Sequence, residues 1–498
     1  MSVGFGFSLP ALAQYGGGGN NPFGQLGPTL DLAFADGPTG VGDLSDPNGY
    51  TLNTDFISPE YQVAAQYTIW ETNVGLVSKT FSQIITFTRA STATFFNSSG
   101  VLTSAAINEA RLDYNPATLA AQGFLVEEAR TNLLTFSAQF DNASWLAADI
   151  TVTANNTTAP DGTTTADLLT EGTAGTAYIT RSSAATVSAG ATVTSSFFVK
   201  RSSVIQWLRV RVSNDLATNG GNVWFDIQNG VLGNQTNLGS GTATSGTITL
   251  INNGWYRVTA TTTLAVGDTF ALLLFTSASG NGSTTRVNNS AYWVWGAQLE
   301  AGAFPTSYIP TTTTALTRSA DVASVNTLSP WFNATSGTLF AEFSIPAATA
   351  SRSQATFGDG TANERMIISN NTSLTGTAWR IVDGGVDQAD INNSGSFANN
   401  ATVKVAGAYA VNDFATSQNG GTAGTDTSGT LPAVTALYLG SNGAAQYASS
   451  HLRRITYYPR RLTNDELRTL TLPAGATITT QEYSLDTNFI GNTVAIGS

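Results

Sequence analysis

Apolar and polar positions alternate with a period of two in short runs along most of the chain. In "QWLRVRV", Leu208, Val210 and Val212 share one face and Trp207, Arg209 and Arg211 the other. "VWFDIQNG" sets Val223, Phe225 and Ile227 against Trp224 and Asp226, and Asn229-Gly230 ends the run with a hairpin signal. "NNGWYRVTAT" (252–261) sets Tyr256, Val258 and Ala260 against Trp255, Arg257 and Thr259. Further on, "GTLFAEFSIP" aligns Leu339, Ala341, Phe343 and Ile345, and "VKVAGAYAVN" aligns Val403, Val405, Gly407, Tyr409 and Val411. Helical spacing is rare. Thr463 and Glu466 in "LTNDELRTL" stand at capping-box spacing and predict one short helix. Short strands divided by Gly, Asn and Asp turns predict an all-β chain of tandem antiparallel β-sandwiches of the jelly-roll kind.

The pattern also divides the chain. Residues 1–80, rich in Gly, Pro, Asn and aromatics, show little periodicity and read as an irregular segment that gains order against another surface. Residues 81–135 read as a β-rich connector, 136–312 as a first sandwich, 326–470 as a second, and 471–498 as a C-terminal tail. The Thr-rich stretch 310–325 reads as a linker. In "YWVWGAQLEAGAFPTSYIP" (292–310), strict alternation puts Trp293, Trp295, Ala297 and Leu299 on one face, expected to be the core. Tyr292, Val294, Gln298 and Glu300 then fall on the opposite face.

Composition narrows the chemistry. Of 498 residues only 11% are charged, against an ordinary share of about 25%. The surface must then be polar mainly through hydroxyls and amides, as in secreted, surface or virion β-proteins. The absence of cysteine excludes disulfides, thiolate metal sites and cysteine nucleophiles. A single histidine, His451, excludes imidazole metal clusters and leaves a serine triad only one base. The net charge of −12, with no basic block, argues against a nucleic-acid surface. The longest apolar run, "FALLLF" (270–275), falls far short of the roughly 20 residues that span a bilayer. The opening "MSVGFGFSLPALAQ" ends like a secretory signal but lacks its basic start, so no cleaved signal is expected.

Four side chains form the candidate binding set: Trp207, Arg209, Trp224 and Asp226, all on the polar faces of their strands. A sugar presents a flat apolar ring face and a rim of hydroxyls, which an exposed aromatic flanked by planar donors and acceptors would hold. On this reading Trp224→Ala abolishes glycan binding without unfolding the chain. The competing reading is packing against a neighbouring domain or protomer. Glu127-Glu128, adjacent on a strand, point to opposite faces and read as partners of Arg111 or Arg130 rather than as a glycosidase pair. Asp383, Asp387 and Asp390 in "VDGGVDQADINN" offer oxygen ligands of the kind calcium takes, but ordinary turn chemistry is the expected reading and no cofactor is assigned. In "RRITYYPRR" (453–461) the four arginines read as carboxylate partners at a subunit contact.

Three stretches together resemble bacteriophage fibre or spike proteins. "FTRASTATFFNSSGVLTSAAINEARLDYNPATLAAQGFLVEEARTNLL" (87–134) is similar to a block found in such virion proteins. "NGWYRVTA" followed by "YWVWGAQLEAGAFPTSYIPTT" is similar to the end of a carbohydrate-binding-type jelly roll. "VAGAYAVNDFATSQNGG", "LYLGSN" and "HLRRITYYPRRLTNDELRTL" resemble the last strands and terminal helix of a concanavalin A-like (laminin-G-like) jelly roll. The resemblance implies a structural protein of the virion surface, on a head or tail fibre, with the N-terminal segment docked on other virion proteins. It further implies a homo-oligomer, trimer favoured, and host surface glycan as the partner. It supplies no catalytic residues, so no enzyme activity is expected. The alternatives are a purely structural capsid or tail decoration, a glycan depolymerase, and a secreted adhesin. Without coiled-coil heptads, a trimer must form through β-surfaces or the N-terminal segment.

Overall fold

The computed structural model describes residues 30–33, 67–71, 75–473 and 476, apart from short breaks at 174–176, 182–184, 204, 269, 347–350, 373 and 444–445. Most of the expected attachment segment and of the C-terminal tail lies outside the described residues. Described strands pair antiparallel throughout, and the fold is all-β with tandem sandwiches.

In the first sandwich one sheet runs, in spatial order, Trp145–Ala148, Tyr178–Arg181, Phe270–Ala278, Trp207–Ser213, Gly220–Asp226 and Val231–Leu238, with Ala185–Thr186 paired beside Phe270–Ala278. The facing sheet runs Ile150–Thr157, Ala166–Glu171, Ala291–Ala301, Thr192–Arg201, Trp255–Thr263 and Thr242–Leu250. Between them lie Leu208, Val210, Val212, Val223, Phe225, Ile227 and Val258, as alternation requires. The strand Ala291–Ala301 departs from expectation. Tyr292 and Val294 enter this core, Ala297 and Leu299 follow them, and Trp293 and Trp295 face outward. Gly296, at φ 65°, absorbs one extra residue opposite Ser196–Phe198, so the pairing shifts and every side chain beyond it changes face. Trp295 joins Phe198, Trp255 and Tyr308 in a small cluster on the outer side of the sheet. Trp293 is half-buried, its Nε1 donating to Asn156 Oδ1 at 2.8 Å.

The second sandwich packs a sheet containing Ser450–Tyr458, Ser336–Ser344, Thr402–Ala410 and Asp413–Gln418 against one containing Val386–Ser394, Gly376–Asp383, Arg365–Asn370, Arg352–Gly358 and Ala436–Leu439. Leu339, Ala341, Phe343 and Ile345 fill its core with Val403, Val405 and Tyr409, while Val411 is exposed. The strand Leu30–Ala33 pairs with Ser450–Tyr458 and carries Tyr67–Glu71 and Gly75–Lys79 outward from that edge. Helix Asn464–Leu470 has the expected cap: Thr463 Oγ1 accepts from Glu466 N while Glu466 reaches back to Thr463 N.

Residues of the 81–135 stretch enter both bodies. Ile84, Ile85, Phe124 and Val126 lie in the second core, and Thr86–Thr88 pairs with Val322–Val325. Leu102 and Phe96 pack on the outer aromatic cluster of the first sandwich. Between the bodies sits a buried charge cluster. Asp321 is 3.0 Å from Arg89 and 2.5 Å from Arg111, and Glu127 is 2.8 Å from Arg111 and 3.5 Å from Arg318. Ser307 donates to Glu127 through both its backbone N–H and its hydroxyl. Burial would raise the Glu127 pKa, but Arg318, Arg111 and Ser307 outweigh it and hold the carboxyl far below the usual range.

Candidate functional site

The candidate set lies on the outer face of the first sandwich's sheet. Trp207–Ser213 and Gly220–Asp226 run side by side, and their register places Trp207 opposite Asp226, Arg209 opposite Trp224, and Arg211 opposite Asn222. On its other flank Arg209 faces Thr276. With Leu208, Val210, Val223 and Phe225 in the core, the alternating partners must point away from it. All four residues picked from the sequence therefore meet as two cross-strand pairs.

Their roles differ from expectation. Trp224 is only 3% exposed, and its Nε1 donates to Ser283 O at 2.7 Å, so the 279–285 loop holds it down. It is a structural ring and no platform. Asp226 is 4% exposed and spent on the Asn229-Gly230 turn. One oxygen accepts from Gln228 N and Asn229 N at 3.0 and 2.9 Å, the other from Gln206 Nε2 and Asn229 Nδ2 at 2.8 Å. Burial pushes its pKa up, but the bonds from Asn229, Gln206 and Gln228 win and hold it below the ordinary aspartate value. Two of the four residues thus serve the fold. The reason is local: a carboxylate one residue before a hairpin turn finds free N–H donors there.

Trp207, Arg209 and Arg211 are half-buried and keep part of their surface open. The Trp207 ring lies over Gly233, where a Cβ would come within 2.5 Å of it. Arg211 donates from Nε to Asn222 Oδ1 at 2.9 Å. Arg209 has no carboxylate or hydrogen-bond partner among the described residues, and its Nε is buried without one. Burial first, then the neighbouring Arg211, pushes the Arg209 pKa below the ordinary arginine value, with Glu171 the opposing charge. Glu171 is itself consumed, accepting from Ser277 N and Oγ, Thr276 Oγ1 and Tyr292 OH. The face therefore offers an aromatic surface and unspent guanidinium donors in one row, with buried Asn222 holding Arg211. Asn222 and Thr276 were outside the sequence-derived set, because only strand pairing shows which residues border Arg209.

The remaining candidates are resolved by their partners. Glu127 belongs to the buried cluster, and Glu128 is ion-paired with Arg130 and, at 2.8 Å, with Arg352. His451 Nε2 lies 2.8 Å from Asp113 Oδ2. Asp383 and Val386 close a hairpin, Asp387 pairs through both oxygens with Arg380 at 2.7 and 2.8 Å, and Asp383 accepts from Thr430 Oγ1. Among the described residues no group of three or more His, Cys, Asp or Glu could hold a metal ion. Of the arginines in "RRITYYPRR", Arg453 pairs with Glu342, Arg460 with Glu466 and Arg461 with Asp413, all within the chain. Among the described residues no helix is long and apolar enough to cross a membrane.

No family model matches the chain, and no curated protein matches it. Several solved structures share a limited likeness. The CBM40 module of the Ruminococcus gnavus IT-sialidase is 18% identical, over 28% of this chain and 84% of that one, with a TM-score of 0.25. The NanB sialidase of Streptococcus pneumoniae is 13% identical over 28% of this chain and 25% of its own, with a TM-score of 0.26. A heptameric pentraxin from Limulus polyphemus is 12% identical over 28% of this chain and 70% of that one, with a TM-score of 0.23.

Proposed function

We propose that this chain is a non-enzymatic fibre or spike protein of a phage virion surface, displaying its sandwiches for attachment to host surface polysaccharide. The observation that carries the glycan reading is the row Trp207, Arg209 and Arg211, half-open on a sheet face, with Arg209 short of protein partners among the described residues. An aromatic surface beside planar donors suits a ring with one apolar face and a hydroxyl rim. The virion assignment rests on the sequence blocks at 87–134 and 292–312 and on the low-charge, hydroxyl-rich composition. In this reading the N-terminal segment docks on other virion proteins, and a homo-oligomer, trimer favoured, repeats a weak site so that linked copies raise avidity without new contacts.

The test is size-exclusion chromatography of purified surface polysaccharide from a host to which the particle adsorbs, with and without the protein. Co-elution with intact polysaccharide is the expected result. Shortened polysaccharide makes the protein a depolymerase instead. Unchanged elution makes it a structural decoration of the particle.

A further inference from the structure

We propose that the Arg209 face selects acidic glycans, the Arg209 guanidinium receiving a sugar carboxylate. The proposal rests on the glycan reading above and names its ligand class. In the buried cluster the fold answers guanidinium charges with carboxylates: Arg89 and Arg111 meet Asp321, and Arg318 meets Glu127, whereas Arg257 is left to the Ser196 hydroxyl and the Thr306 carbonyl. Arg209 and Arg211 stand two residues apart on one strand face, roughly 7 Å between Cα atoms, with like charge and no carboxylate bound to either among the described residues. Glu171, the nearby carboxylate that does act on Arg209, is saturated by Ser277, Thr276 and Tyr292.

Two half-buried cations left side by side repel one another and lose hydration, so the bare face is electrostatically unfavourable. A planar carboxylate relieves both costs, because a guanidinium donates to both of its oxygens at once. Trp207, two residues before Arg209 on the same face, would then carry the apolar side of the sugar ring. Arg211, its Nε held by buried Asn222, would meet hydroxyls of the same or the next ring with its remaining donors. Buried Trp224 and Thr276 stand opposite Arg209 on the two neighbouring strands.

The full chain is tested on an array of oligosaccharides bearing uronate, sialate or pyruvate-ketal groups, each printed beside its carboxyl-reduced counterpart. The expected result is retention of one or more acidic glycans, with carboxyl reduction or Arg209→Gln weakening it roughly ten- to hundredfold. Arg209→Lys, which keeps charge but not the two-pronged geometry, should recover only part of the loss. Added salt should weaken the wild-type signal more than that of Arg209→Gln. Thermal unfolding of both variants at or above the wild-type temperature shows that neither has merely misfolded. Equal retention of acidic and reduced forms overturns the charge selection and leaves the glycan reading standing. Retention of no glycan at all overturns both.

Discussion

A guanidinium without a counter-charge, Arg209, and a buried indole, Trp224, sit opposite one another in one cross-strand pair and predict opposite outcomes. Arg209 lies half-buried beside Arg211, so its charge opposes folding. Arg209→Gln should therefore stabilise the chain by roughly 0.5–2 kcal/mol in urea unfolding while it impairs ligand binding. A loss of stability would mean that Arg209 holds the sheet together. Trp224→Ala should behave in the other sense. Removing a ring 3% exposed, with its bond to Ser283, should cost about 3–5 kcal/mol. That revises the expectation of a clean binding mutant, and a denaturant midpoint equal to wild type would restore it.

Among the elements, the strand Ala291–Ala301 and the helix Asn464–Leu470 were read from sequence with different success. The cap of the helix needs only residues three apart, so Thr463 and Glu466 were visible in the sequence. Hydrogen bonding from Arg460 chiefly, aided by Thr463, lowers the Glu466 pKa to about 2. A depressed carboxylate stabilises the fold above its unfolded pKa of about 4.3 and loses that contribution as pH falls through its folded value. The stability gap between wild type and Glu466→Gln, measured by unfolding at stepped pH, should therefore be full near neutrality and close between about pH 4.3 and 2. A pH-independent gap would show that the carboxylate charge is immaterial there. In Ala291–Ala301, by contrast, strict alternation put both tryptophans in the wrong layer. The Gly296 bulge depends on its partner strand Thr192–Arg201, which a single run cannot reveal.

For the whole molecule, the buried cluster of Arg89, Arg111, Arg318, Glu127 and Asp321 ties the segment before the first sandwich to the segment after it. Its members come from residues 89–127 and 318–321, on either side of the first sandwich in sequence. Asp321→Ala leaves three buried guanidiniums facing one carboxylate, which should cost about 3–5 kcal/mol. Calorimetry should then show the two sandwiches melting separately, where a single transition is expected of the wild type. A single transition at the original temperature would reassign the joint to the apolar contacts of Phe96, Leu102 and Phe124.

Fold class, the core faces of Leu208–Val212, Val223–Ile227 and Leu339–Ile345, and the capped helix follow from local pattern, because each depends on periodicity or spacing within a few residues. The same pattern also put Trp207, Arg209, Trp224 and Asp226 on the outer faces of their strands. Which of these stay available depends on contacts made across the fold. A hairpin turn claimed Asp226 and a loop some 60 residues away claimed Trp224, while Arg209 was left beside Arg211 without an acid. Hydrogen bonds and ion pairs form between residues far apart in sequence, so a polar side chain's freedom follows from how the strands are paired, which local pattern does not encode.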